Sequence, residues 1–113
     1  MATDVNAHLR NCGISAQKVR LVIDAVRGKK AVEALGLLQF MPQAASRQVR
    51  KLLVSAIANA EENFGLSRDN LVVSEITADE GRTRRWRRFG ARGRFKPIAR
   101  RTSHISIVLR EQG

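Results

Sequence analysis

The chain has 113 residues, of which 43% are hydrophobic, and it carries a formal net charge of +11. This length predicts one domain with a modest core, and no stretch approaches the roughly 20 apolar residues that a membrane span needs. The only cysteine, Cys12, excludes an internal disulfide and is typical of a reducing compartment. The first ten residues contain an acid and no apolar run, so they give no sign of a secretion signal.

The chain begins with a weakly alternating segment. Val5, Ala7 and Leu9 fall on one side of residues 3–10. A period of two residues is the pattern of a strand with one buried face. We therefore predict a short edge strand here.

Three helices are predicted between residues 15 and 65. Ser15 suits the N-cap of the first, and Gly28 suits the position just after its end. The second runs over residues 31–39, and Pro42 is predicted in the first turn of the third, which should end near residues 63–65. The inward-facing residues follow helical spacing: Val19, Val22, Ile23 and Val26 in the first helix, Ala31, Ala34, Leu35 and Leu38 in the second, and Ala45, Val49, Leu52, Leu53, Ala56, Ile57 and Ala60 in the third.

The period changes to two after residue 70. Residues 71–78 are rich in β-branched side chains, and residues 102–109 alternate apolar with polar positions, so both are predicted to be strands. If they pair antiparallel, the segment between them is most economically a β-hairpin that continues both strands and turns near residues 89–93, where two glycines can supply positive φ. An isolated two-stranded ribbon is marginal in water. We therefore expect this one to be loose alone and ordered on a partner.

The same segment carries the charge of the molecule. Residues 82–101 contain ten of the 21 Lys and Arg residues and no acid, while the rest of the chain has eleven basic and ten acidic residues. The positive charges of such a run repel one another, and binding to a polyanion relieves this repulsion. Arginine outnumbers lysine nine to one in it, and the planar guanidinium suits bidentate phosphate contacts and stacking on bases. The segment therefore predicts an RNA-docking arm on a nearly neutral body.

Three of the five aromatic residues lie in this arm: Trp86, Phe89 and Phe95. Exposed rings on such an arm offer stacking platforms for unpaired bases. The alternative is that the rings pack on each other across the ribbon or contact protein. The sequence leaves both interpretations open.

Catalytic chemistry finds no support in the residue pattern. His8 and His104 lie far apart in sequence and are each interpreted as structural, and no second histidine or CxxC pattern joins His8 and Cys12 in a metal site. Ser15 beside Lys18 is explained by the helix cap. No paired acid and base is present, so we expect no enzyme, no cofactor and no metal.

The residues resemble a known family, the bacterial form of large-subunit ribosomal protein twenty-two. Five stretches match in the family's order and spacing, so that the resemblance covers essentially the whole chain. They are SAQKVRLVIDAVRGKK at 15–30, SAIANAEEN at 55–63, DEG at 79–81, ARGR at 91–94 and RRTSHISIVL at 101–109.

The resemblance implies an α+β fold, with three helices packed on a three-stranded antiparallel sheet and a long protruding β-hairpin. It implies a single domain over 1–113, from which residues 79–103 extend as the basic hairpin. The implied function is that of a structural constituent of the large ribosomal subunit, which binds ribosomal RNA, supports subunit assembly and lines the nascent-peptide exit tunnel with its hairpin tip. The implied partners are ribosomal RNA, neighbouring ribosomal proteins and the nascent peptide, for a cytoplasmic monomer within the particle and without a membrane.

The resemblance also assigns residues to these contacts. The implied RNA-binding residues are Ser15, Lys18, Arg20, Lys29, Lys30, Arg82, Arg84, Arg85, Arg87, Arg88, Arg92, Arg94, Lys96, Arg100, Arg101, Thr102, Ser103 and His104. The implied tunnel-lining tip comprises Trp86, Phe89, Gly90, Ala91, Arg92, Gly93 and Arg94. The chain departs from the family pattern at Arg82, where proline is usual, and at Phe89 and Gly90, which replace Pro-Arg; Trp86 and Pro97 are also unusual.

Three rival classes are weaker. A DNA-compacting or regulatory binder is not favoured, because no arrangement of a recognition helix is visible. A membrane-active cationic protein is not favoured, because the basic run lacks the amphipathic period of a helix that lies on a membrane surface. An enzyme acting on RNA is the weakest, for want of a paired acid and base.

Overall fold

The computed structural model describes residues 4–81, 84–89, 95–100 and 102–112. In chain order the elements are β1 (Asp4–Cys12), α1 (Ala16–Val26), α2 (Ala31–Phe40), α3 (Ala44–Phe64), a 3-10 turn (Arg68–Asn70), β2 (Leu71–Glu80), β3 (Arg84–Phe89), β4 (Phe95–Arg100) and β5 (Ser103–Glu111). The predicted α+β class is confirmed: three helices pack on a three-stranded antiparallel sheet, and a separate two-stranded ribbon follows β2.

The three-stranded sheet has the order β1-β5-β2, so that β5 is its centre. Both neighbours pair antiparallel with β5, as shown by the register pairs Val5–Leu109 and Ile76–Ile107. The predicted edge strand at residues 3–10 is confirmed as β1, and it extends two residues further, to Cys12. The register of β1 shifts between Leu9 and Cys12.

A β-bulge interrupts the alternation of β2. Leu71 and Val73 are buried, and after the register shift between Val73 and Glu75 the buried positions become Ile76 and Ala78. A bulge adds one residue to a strand, so the side chains that face the core change from odd-numbered to even-numbered positions after it. The predicted alternation of β5 is confirmed without interruption.

One apolar core lies between the helices and one face of the sheet. The helical stripes predicted from spacing are confirmed: each of their members is buried except Leu35, which is half-buried and packs against the core. Full burial of a Leu or Ile side chain contributes roughly 1.5–3 kcal/mol. The 21-residue helix α3 supplies the longest stripe and contacts α1, α2, β1 and β5.

Two predicted helix ends are confirmed by backbone geometry. Gly28 follows α1 with φ of 79°, and Gly65 follows α3 with φ of 65°, a conformation that glycine adopts without strain. Ser15 is the N-cap residue of α1, but its hydroxyl makes no capping hydrogen bond. The predicted N-cap position is therefore confirmed, but Ser15 lacks the side-chain hydrogen bond that serine often makes at this position.

The start of α3 corrects a prediction. Pro42 lies before the helix rather than in its first turn, because α3 begins at Ala44 with Gln43 as N-cap. The buried hydroxyl of Ser46 donates to the carbonyl oxygens of Gln43 at 2.6 Å and Met41 at 3.2 Å. These bonds tie residues 41–43 to the first turn of α3, which begins two residues after Pro42.

The outer edge of β2 is closed by α1 and the residues after it. Arg20 Nε donates to the Ala78 carbonyl at 3.1 Å, and Arg27 Nη2 donates to the Ile76 carbonyl at 2.9 Å. Further along, the Gly28 N–H donates to the Val73 carbonyl at 2.9 Å, and the Val73 N–H donates to the Lys29 carbonyl at 2.9 Å. An open strand edge invites pairing with other chains, and these bonds satisfy its backbone groups internally.

β3 and β4 form the ribbon, paired antiparallel from Arg84–Arg100 to Phe89–Phe95. The limbs of the predicted hairpin are thus confirmed, whereas its turn falls at residues 90–94, outside the described residues. The radius of gyration is 17.1 Å, against about 13 Å for a compact chain of this length. The ribbon gives the molecule this elongated form.

Candidate nucleic-acid interface

The register of the ribbon brings cations directly opposite one another. Arg84 pairs with Arg100, and Arg88 pairs with Lys96, in two of the six described rungs. Like charges directly opposite in an antiparallel pair destabilise it. The ribbon therefore favours an anionic partner beside it.

The aromatic residues occupy defined register positions. Phe89 lies opposite Phe95, and Trp86 lies opposite Ile98. Residues directly opposite share one face of a ribbon. Phe89 and Phe95 thus form one rung of the ribbon, and Trp86 occupies the same register face as Arg84 and Arg88.

The root of the hairpin is built around Gly81. Its N–H donates to the Thr102 carbonyl at 2.8 Å. A Cβ added at Gly81 would lie 2.5 Å from Thr102 Oγ1 and 3.1 Å from His104 Nε2. A side chain at residue 81 would therefore force the Thr102 hydroxyl to move, and glycine lets the two strands meet closely before they enter the ribbon.

The predicted contacts at the hairpin's return differ in exposure. Ser103 is fully buried, and its Oγ donates to the Ile14 carbonyl at 2.7 Å. Thr102 and His104 are half-buried. Ser103 therefore joins β5 to the loop before α1, and its hydroxyl is engaged within the protein.

The predicted body contacts cluster around α1. Lys18, Arg20, Lys29 and Lys30 are exposed, and Ser15 is half-buried at the helix start. Arg20 uses Nε for the Ala78 carbonyl, which leaves its terminal nitrogens as donors to a ligand. The structure brings Lys29 and Lys30 to the edge of β2, where Lys30 pairs with Val72.

Several predicted residues fall where no placement is described. Arg82, Arg92, Arg94, Arg101, Gly90, Ala91 and Gly93 lie outside the described residues, and for Arg85, Arg87 and the remaining ribbon residues the structure describes the backbone.

Three ion pairs engage cations of the body. Arg27 bonds Asp24 at 2.7 Å, Arg68 bonds Glu61 at 2.8 Å, and Arg110 bonds Asp4 at 2.8 Å. The hydrogen bond from Arg110, and secondly its charge, hold the pKa of the Asp4 carboxyl below its usual value against the opposing effect of desolvation. Within the described part of the chain, the predicted body contacts Lys18, Arg20, Lys29 and Lys30 enter none of these ion pairs. The same holds for four other exposed cations: Arg10, Arg47, Arg50 and Lys51.

Sequence reasoning missed that β1 and β5 bring the two histidines together. His8 and His104 line one groove together with Arg10 and Ser106, although 95 positions separate them in the chain. The signal was available in the alternation of β1, whose polar positions include His8 and Arg10 opposite the apolar Val5 and Leu9. The sequence does not show that β1 pairs with β5, and this pairing is what brings the two histidines together.

A basic antiparallel ribbon extends from a small α+β body, and such a concentration of positive charge suits a nucleic-acid-binding protein. The chain matches the family described as Ribosomal protein L22p/L17e over residues 7–110, and it belongs to that family. It is accordingly a ribosomal protein of the large subunit that binds ribosomal RNA and takes part in translation. Such families are in general structural rather than catalytic. Among the described residues, no helix is both long and apolar enough to span a membrane.

Proposed function

We propose that the basic arm anchors the protein by neutralising phosphates where several segments of ribosomal RNA converge, and that it thereby fixes their mutual placement during subunit assembly. In this proposal the chain is one domain over 1–113, from which residues 79–103 extend as the arm. The protein works as a monomer in the particle and carries out no catalytic reaction.

The observation that carries this proposal is the pairing of cation with cation at Arg84–Arg100 and Arg88–Lys96. An arm of this charge gains little from its own strand pairing. Ordering its backbone costs of order 1–2 kcal/mol per residue, and counterion release together with charge-assisted phosphate contacts must offset that cost. Binding to RNA should accordingly depend steeply on salt.

The tip of the arm has a second proposed role. The resemblance to the family supports a tip, formed by residues 89–94 with Trp86 on the approaching limb, that lines the nascent-peptide exit tunnel, and contacts of the body with neighbouring ribosomal proteins. A photo-crosslinking residue in place of Ala91 should then capture a stalled nascent peptide in assembled ribosomes. The absence of any such adduct, with crosslinks to RNA alone, would contradict the tunnel assignment.

The anchoring proposal is tested by replacing Arg84, Arg85, Arg87 and Arg88 together with alanine. We expect strongly reduced incorporation into large subunits and weaker binding to transcripts of large-subunit ribosomal RNA, because four phosphate contacts are lost. Incorporation is measured by sedimentation of particles through a high-salt cushion.

The matched control replaces the same four arginines with lysine. Lysine keeps the charge but loses the bidentate fork, so incorporation should be intermediate. Circular dichroism of each variant checks that the body has kept its helices. Unimpaired incorporation of the alanine variant would refute phosphate anchoring by β3.

A further inference from the structure

A groove crosses the face of the sheet that the helices leave open. It is lined by His8, Leu9 and Arg10 of β1 and by His104, Ile105 and Ser106 of β5. Register explains the set, because His8 lies opposite Ser106 in the β1–β5 pairing. The groove thus combines one guanidinium, two imidazoles and a hydroxyl.

The charge of the groove favours an anionic occupant. Arg10 is exposed and takes part in none of the ion pairs formed by the described residues, and no carboxylate is among the lining residues. On the far side of β5, Asp79 lies opposite His104, so the acid borders the groove on its β2 side only. A phosphate would approach from the β1 side.

The imidazole of His8 is held in place for a contact. Its Nδ1 and the Ser106 Oγ are 3.0 Å apart. When Ser106 donates this hydrogen bond, the neutral ring carries its proton on Nε2, which is then a donor to an oxygen outside the protein. A neutral donor beside a guanidinium suits a phosphate or a ribose hydroxyl.

The position of the groove links it to the arm. β4 ends at Arg100 and β5 begins at Ser103, so His104 stands at the root of the hairpin, with its ring beside Gly81. The groove therefore lies at the end of the sheet from which the arm extends.

We propose that this groove binds the sugar-phosphate backbone of the same RNA that the arm engages, with Arg10 as the phosphate ligand and His8 as a hydrogen-bond donor. The inference rests on the proposed function of the arm and extends its contact surface across β1. Among the lining residues of the groove, the resemblance gives an RNA-binding role only to His104, and the inference extends that role to His8, Arg10 and Ser106.

The test measures binding of the full chain to a transcript of large-subunit ribosomal RNA over a range of salt concentrations. Arg10→Ala should weaken binding severalfold and lower the slope of log affinity against log salt by about one phosphate contact, roughly 0.7–0.9. His8→Ala should also weaken binding, because it removes a hydrogen-bond donor from the groove. Arg50→Ala, which removes the same charge from α3 on the helical side of the sheet, should change neither quantity by as much.

The outcomes separate this inference from the function of the arm. Normal binding by Arg10→Ala and by the charge-reversed Arg10→Glu, beside a clear loss in the four-arginine variant of β3, would overturn the groove and leave the arm in place. Equal losses in Arg10→Ala and Arg50→Ala would also overturn it, since the effect would then be one of net charge. Normal binding by the β3 variant would refute the arm itself. A requirement for Arg10 in assembled particles but not on RNA would show that a protein occupies the groove, against the proposal.

Discussion

Gly81 shows how one residue sets the geometry of the hairpin. Its Cα lies so close to the side chains of Thr102 and His104 that a Cβ at this position would force the Thr102 hydroxyl to move. Overpacking of this kind forces neighbouring side chains or backbone to move and costs typically 1–3 kcal/mol. The residue carries no chemistry of its own, and its importance comes entirely from the space it leaves.

Gly81→Ala should therefore lower the free energy of unfolding by about 1–3 kcal/mol and weaken incorporation into the large subunit. The measurement is urea denaturation followed by circular dichroism. Gly36→Ala is the matched control: residue 36 is exposed in α2 and a Cβ there meets nothing within 4 Å, so the change should stabilise by about 0.5–1 kcal/mol. Equal responses of the two variants would exclude a steric role for Gly81.

Two residues that the resemblance assigns to RNA also have partners within the protein. Arg20 Nε donates to the Ala78 carbonyl, and Ser103 Oγ donates to the Ile14 carbonyl. A donor's partner depends on which distant segment the fold brings near. No local pattern contains that information, so a positively charged or hydroxyl residue is ambiguous until the topology is known.

At the scale of elements, an ion pair helps to join β1 to the centre of the sheet. Asp4 lies opposite Arg110 in the register, and Nε and Nη2 of Arg110 donate to the two carboxylate oxygens at 2.8 and 3.3 Å. Because the folded protein lowers the pKa of Asp4, the pair stabilises the fold above the unfolded pKa of about 3.9. That contribution is lost as the pH falls through the folded pKa.

Asp4→Asn should consequently lower the urea midpoint at neutral pH, and its difference from the wild type should shrink as the pH falls below about 4. Molar salt should also shrink the difference, because both side chains are exposed and screened. Glu62→Gln, at an exposed position of α3 outside the three ion pairs, serves as the control. A difference for Asp4→Asn that persists unchanged at acid pH would show that the pair does not stabilise the fold.

Whole elements were predicted well where one periodic signal governed them. The stripes of the helices and the alternation of β5 were read correctly because burial on one face imposes a fixed period. The structure departs from the sequence-based prediction at two places where the period is interrupted. One is the bulge after Val73, and the other is the start of α3, where Ser46 bonds the Gln43 carbonyl. The groove of His8 and His104 was missed for a related reason, since only the strand order β1-β5-β2 creates it.

At the scale of the molecule, charge and core occupy different parts of the chain. The core is formed by the helices and the three-stranded sheet, whereas residues 82–101 hold ten of the 21 basic residues and no acid. The body is therefore stabilised by its own burial, and the arm needs its ligand.

Amide hydrogen exchange of the isolated protein should accordingly be fast across residues 82–100 and slow in α3. Addition of ribosomal RNA should slow exchange in the arm and leave α3 unchanged, because the RNA supplies the counter-charge of the ribbon. Mass spectrometry of peptic fragments would resolve the two regions. Similar protection of arm and α3 without RNA would contradict folding of the arm on its ligand.

The central place of β5 determines the order of events in biosynthesis. β1 and β2 each pair with β5 and not with each other, so neither strand has a partner until residues 103–111 have been translated. By then the whole cationic arm has already been synthesised, because residues 82–101 precede β5 in the chain. The strand that completes the sheet is thus the last element to be made, and the sheet of the body closes only after the arm exists.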